Sequence, residues 1–145
     1  MRILIAASSN YIAFHGQAIF TINLAEGLAH NGHAVMVTAW SERVHSYREQ
    51  INGVQLEAFG ALSLRLIHHD SYLPLFPSFL VGRILDAFRL NIVHIQDHYP
   101  LSRAMVFAAR RRGVKLIGTN HFMPNNLAAY VPLISRIKPF YNWVL

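Results

Sequence analysis

A titratable side chain stands at the end of an apolar run. Val114 to Ile117 reads as a buried strand, and Gly118 leads into the polar tip Thr119-Asn120-His121, with Pro124 barring further pairing. An imidazole there can donate or accept a hydrogen bond, or move a proton near a reacting oxygen. Asp97 and His98 form a second polar tip, after the apolar stretch Ile92–Gln96. Gly16-Gln17 form a third feature, at the head of a helix, where backbone N–H groups and the helix dipole favour a phosphate.

Each has a plainer reading. His121 would cap a loop carbonyl, Asp97 would bond the backbone of a turn before Pro100, and Gly16 would be an ordinary loop glycine. Metal ligation by His94, Asp97 and His98 is disfavoured, because His94 is expected to point into the sheet and no ligand set of the usual kind is present. There is no GxGxxG and no P-loop lysine motif, which argues against a nicotinamide enzyme or a P-loop NTPase. The run Arg110-Arg111-Arg112 reads as a solvated helix end. No aromatic residues interleave with it, so nucleic acid is not an expected partner.

The elements that must position these residues alternate strand and helix. Ile3–Ala7 reads as the first strand, and Ser8-Ser9-Asn10 as loop. A helix follows from about Gln17 to Asn31, with Ala18, Ile22, Ala25, Leu28 and Ala29 on one face, stopped by Gly32. His33–Trp40 reads as the second strand and Ile51–Phe59 as the third, with Asn52-Gly53 as the turn before it. Residues 60–77 are the least legible, with a short strand around Leu64, Leu66 and Ile67. Ser78–Leu90 reads as a helix, Ile92–Gln96 as the fourth strand, Leu101–Arg112 as a helix capped by Gly113, and Val114–Ile117 as the fifth strand. Residues 125–145 read as one or two short helices broken at Pro132 and Pro139.

This is the pattern of an α/β fold, a Rossmann-like doubly wound parallel sheet. Its first and fourth strands are neighbours, and strand order reverses between them. A crevice at that reversal would be lined by Ser8–Gly16, Asp97–Tyr99 and Thr119–His121 together.

The chain has 145 residues, enough for one core, and is 53% hydrophobic with 14% charged residues. That excludes disorder and suits a sheet covered on both faces. With no cysteine, neither a disulfide framework nor a thiolate zinc site can form. The net charge of +6 favours anionic partners. No apolar run reaches the length of a spanning helix, and the first strand is too short for a secretory signal. The expected place is the cytosol, peripheral at the inner face of a membrane. The aromatic, uncapped end Phe140-Tyr141-Asn-Trp143-Val-Leu145 is expected of a piece of a longer chain.

Taken in order, His15-Gly16-Gln17, Asn23-Leu-Ala-Glu-Gly-Leu-Ala-His-Asn-Gly-His33, Ile92-Val-His-Ile-Gln-Asp-His98 and Gly118-Thr-Asn-His121 resemble the amino-terminal domain of family 4 glycosyltransferases, which have the GT-B fold. Phe122-Met-Pro-Asn-Asn is similar to members that act on lipid-type acceptors. The resemblance implies the incomplete, acceptor-side amino-terminal half (1–145) of a retaining, hexosyltransferase-type enzyme. Its substrates would be a nucleotide-sugar donor and a lipid or glycolipid acceptor. It implies no cofactor and no metal.

By the same resemblance, His121 is the catalytic-site histidine, bonding the transferred sugar and stabilising charge. Gly16, Gln17, Asp97, His98 and Asn120 line the donor and substrate cleft. The chain departs from the family where His15 replaces a loop glycine. The carboxy-terminal nucleotide-sugar domain, with its glutamate pair, is absent. Glu49 and Glu57 are rejected as that pair, being in the wrong domain. This piece alone is expected to be inactive. The alternative reading is a non-catalytic Rossmann-like binding or docking module.

Overall fold

The computed structural model describes residues 1–7, 16–41, 43, 45–63, 72–74 and 77–121, the side chains of 62–63, 72–74 and 77–80 excepted. Strand β1 (Arg2–Ala6) leads to helix α1 (Gly16–His30) and strand β2 (Ala34–Trp40). Next come β3 (Tyr47–Ile51), β4 (Val54–Phe59) and the short strands β5 (Ala61–Ser63) and β6 (Tyr72–Pro74). Helix α2 (Pro77–Phe88), β7 (Ile92–Ile95), α3 (Pro100–Arg111) and β8 (Lys115–Gly118) complete the described elements.

The main sheet has the order β3-β4-β2-β1-β7-β8. All neighbours in it are parallel except β3, which runs antiparallel to β4. Strand order reverses at β1, between β2 and β7, as a doubly wound sheet requires. β5 and β6 form a separate antiparallel pair.

Alternation along the strands feeds two cores. Ile3 and Ile5 of β1 join Val35, Val37, Val54 and Leu56 under Ala25 of α1, with Ile22, Leu28 and Ala29 packed around them. Leu4 and Ala6 point the other way, joining Met36, Trp40, Phe59 and Val93 under Val81, Ile84 and Leu85 of α2 and Leu101, Met105 and Ala109 of α3. Both β1 faces are therefore dry, and this explains the unbroken apolar run. Each fully buried Leu or Ile contributes about 1.5–3 kcal/mol by leaving water.

Helix α3 ends by a Schellman arrangement: Gly113 N–H donates to Arg110 O and Val114 N–H to Ala109 O. Gly113 takes a φ of +66°, a conformation that costs glycine nothing. The same pair of bonds closes α1, from Gly32 to Ala29 and from His33 to Leu28. These tight exits return the chain directly into β8 and β2.

The third strand departs from expectation. Asn52 and Gly53, both at positive φ, form the turn inside a hairpin and do not precede a single strand 51–59. β3 reads as loop in the sequence because Arg48, Glu49 and Gln50 are exposed along a sheet edge. Glu57 lies within β4 and is ion-paired with its cross-strand neighbour Arg48. Helix α2 stops at Phe88, two residues earlier than expected, where Arg89 adopts a φ of +48°. Among the described residues no helix is long and apolar enough to cross a membrane. The expected strand at 64–67 and the expected helices in 125–145 lie outside the described residues, as do Ser8–His15.

Candidate functional site

The carboxyl ends of β1, β7 and β8 are tied side by side. Gln96 N–H donates to Ala6 O at 3.0 Å, and Thr119 N–H donates to Ile95 O at 2.9 Å. Val93 and Ile95 face the α2–α3 side, so His94 and Gln96 face the α1 side. Thr119 and His121 come to the same side at the end of β8. The ends of the two strands thereby offer four polar side chains to one corner.

Helix α1 closes that corner from above. Gln17, its second residue, donates from Nε2 to Asp97 Oδ2 at 3.0 Å and to the Gln96 carbonyl at 3.4 Å. One turn on, the Phe20 ring meets the His121 imidazole edge-on, 4.8 Å between centroids at 64°. His121 is half-buried, and its Nε2 lies 2.7 Å from Gln96 Oε1. A carbonyl oxygen can only accept, so the imidazole donates here. Gly16 is exposed at the helix start, and a Cβ built on it meets no atom of the described residues within 4 Å.

Asp97 is buried, and its carboxylate points inward. Oδ1 accepts from Tyr99 N–H at 3.0 Å and from Ser102 Oγ at 2.7 Å, while Oδ2 holds Gln17. The turn reading of Asp97 holds, and the same carboxylate also reaches α1. The same side chain starts α3, which has Pro100 in its first turn, and orients Gln17. His98 does not share this setting. It is exposed, and its carbonyl accepts from Arg103 Nε at 2.9 Å. Asn120 is exposed beside His121.

His94 turns into the sheet, apart from Asp97 and His98 and toward the end of β8. It is half-buried, with Nε2 2.7 Å from Thr119 Oγ1. Burial, and then the nearby His121 imidazole, hold it below its ordinary pKa of 6.5. Among the described residues no group of three His, Cys, Asp or Glu side chains could hold a metal ion. A separate groove, lined by Gly82, Ala104, Phe107 and Arg111, lies between α2 and α3 on the opposite side of the sheet.

Sequence reasoning missed Gln96 and Phe20. The alternation that exposes His94 to the α1 side also exposes Gln96, two residues on, and this was the available signal. Nothing local marks Phe20 as a partner of His121.

The comparisons bear on the fold and the family. The chain superposes on sucrose-phosphate synthase from Thermosynechococcus elongatus with a TM-score of 0.65 at 16% sequence identity. The match covers 93% of this chain and 36% of that one, so the chain spans about a third of the synthase. At that identity the likeness establishes the fold, that of a Rossmann-like half of a GT-B protein. No curated protein sequence matches significantly. Residues 14–145, which contain every residue of the corner described above, match the family model for Glycosyltransferase Family 4. By that match the chain belongs to glycosyltransferase family 4.

Proposed function

We propose that this chain is the acceptor-side half of a retaining glycosyltransferase that moves a sugar from a nucleotide-sugar donor. The observation that carries the reading is the corner built by Gln17, Gln96, Asp97 and His121. It stands at the strand-order reversal, where ligands of doubly wound sheets bind, in a chain of this family. Gly16 and the start of α1 offer N–H groups and a positive dipole end to the donor phosphates. His121 contacts the transferred sugar, and its imidazole stabilises charge that develops at the reacting centre. Asp97 and Gln17 hold the helix start in register with the strand ends. His98 and Asn120, exposed at the same strand ends, face the substrates.

Completion of the donor site requires a second α/β domain, so the chain by itself does not turn over. The acceptor we assign is a lipid or glycolipid, and the protein works peripherally at a membrane surface. The +6 charge and the exposed Phe107, with Arg111 over its ring, suit an anionic surface. The reading calls for no resident cofactor.

The test is to supply the protein joined to its second domain with a panel of nucleotide sugars and a lipid acceptor. Proton NMR then reads the anomeric configuration of the product. A retained configuration is expected, and inversion would overturn the mechanism. Neither transfer nor calorimetric binding with any donor would favour the non-catalytic binding module instead.

A further inference from the structure

Gln96 occupies an unusual position. Its backbone is pinned on both sides, by N–H to Ala6 O at 3.0 Å and by its carbonyl accepting from Gln17 Nε2 at 3.4 Å. Its side chain is entirely buried. Oε1 meets His121 Nε2 at 2.7 Å, yet the amide Nε2 is sealed from solvent with no hydrogen-bond partner among the described residues. Glutamines kept for stability have both ends of the amide met. An unmet buried donor loses its hydration and gains nothing in return, so an apolar residue of similar length would be the better core choice.

We propose that Gln96 is the positioning residue of the site. By accepting the Nε2 hydrogen of His121, it fixes the imidazole as the Nε2–H tautomer and makes the Nδ1 lone pair the face offered to ligand. A neutral imidazole has one donor and one acceptor, so committing Nε2–H to Gln96 leaves only an acceptor. Phe20 stands edge-on to the ring and restricts its rotation. The ligand group at His121 must then be a hydrogen-bond donor, which a sugar hydroxyl is and a phosphate oxygen is not. Phosphate is left to the N–H groups at the start of α1. Identifying that donor as a sugar hydroxyl rests on the glycosyltransferase reading; the tautomer does not.

The test uses nitrogen-15 NMR of the imidazoles in the 145-residue chain, at a pH of about 8 where the free side chain is neutral. His121 is expected as the Nε2–H tautomer, with its N–H exchanging at least ~10-fold more slowly than in Gln96→Met, where the acceptor is gone. The melting temperature of Gln96→Met is expected to equal or exceed that of the unaltered chain. An Nδ1–H tautomer in the unaltered chain would overturn the proposal, and that result needs no variant to fold. Equal exchange rates in the two proteins would also overturn it. So would a clear loss of thermal stability in Gln96→Met, which would make Gln96 structural. None of these readouts requires sugar transfer, so failure of the transferase reading would be seen separately.

Discussion

Gln17, at the start of α1, holds the buried carboxylate of Asp97 just beyond β7, with 3.0 Å between Nε2 and Oδ2. The bond joins two segments 80 residues apart in sequence and crosses the point where strand order reverses. The same carboxylate bonds Ser102 and the Tyr99 N–H, so one side chain organises the starts of both α1 and α3. The corner is set by the long-range fold, and each of its bonds has a measurable weight.

Replacing Gln17 by Leu leaves Asp97 Oδ2 without this donor in a buried setting. The expected loss is about 1–3 kcal/mol of unfolding free energy. Urea unfolding of the chain checks it, and an unchanged midpoint would contradict the assignment. Gln17→Glu sets two carboxylates face to face and is expected to cost more than Leu.

Asp97→Ala removes the acceptor for three described donors at once, Gln17, Tyr99 and Ser102. A loss of roughly 2–4 kcal/mol is expected, against a smaller loss for Asp97→Asn, which retains an oxygen at Oδ1 for Tyr99 and Ser102. Calorimetric melting of the two variants gives the comparison. Equal losses would mean that the turn bonds carry no weight.

The strand and helix pattern was legible where an element is buried on one or both faces. β1, β2 and β7 show apolar runs, and α1 and α3 end at glycines that the chain exit requires. β3 was hidden because Tyr47–Ile51 lies along an edge with its middle residues in water. Such a strand needs no apolar alternation, so Asn52-Gly53 reads in the sequence as the lead-in to one strand starting at Ile51 and not as the turn of a hairpin. Ser8–His15 lie outside the described residues, and the candidate corner was legible as two polar strand ends, Asp97–Tyr99 and Thr119–His121, and the helix start at Gly16. Its internal wiring was not. Gln96 meets His121 25 residues later, and Gln17 meets Asp97 80 residues later, contacts that only the assembled sheet creates. The expected pairing of Asp97 with His98 split, because a tight turn sends the first inward and the second into solvent.

His94 gives the fold a pH dependence of definite sign. Its folded pKa lies below the ordinary 6.5, so the unfolded chain takes up the proton first as pH falls. Stability is unaffected by this group well above 6.5 and declines as pH drops through 6.5 toward the lowered folded value. Relative to His94→Gln, the unaltered chain should lose melting temperature between about pH 7 and pH 5. Parallel curves for the two proteins would show that His94 is not held neutral by its surroundings.

The decisive measurement is the turnover of His121→Ala in the protein joined to the nucleotide-sugar domain proposed above, with nucleotide sugar and acceptor supplied. Circular dichroism would verify that the variant is folded. With the role proposed for His121, its loss should lower kcat by about 10²-fold or more, with the melting temperature little changed. Unaltered turnover in a folded His121→Ala would place the chemistry elsewhere and remove the corner of Gln17, Gln96, Asp97 and His121 as the active site.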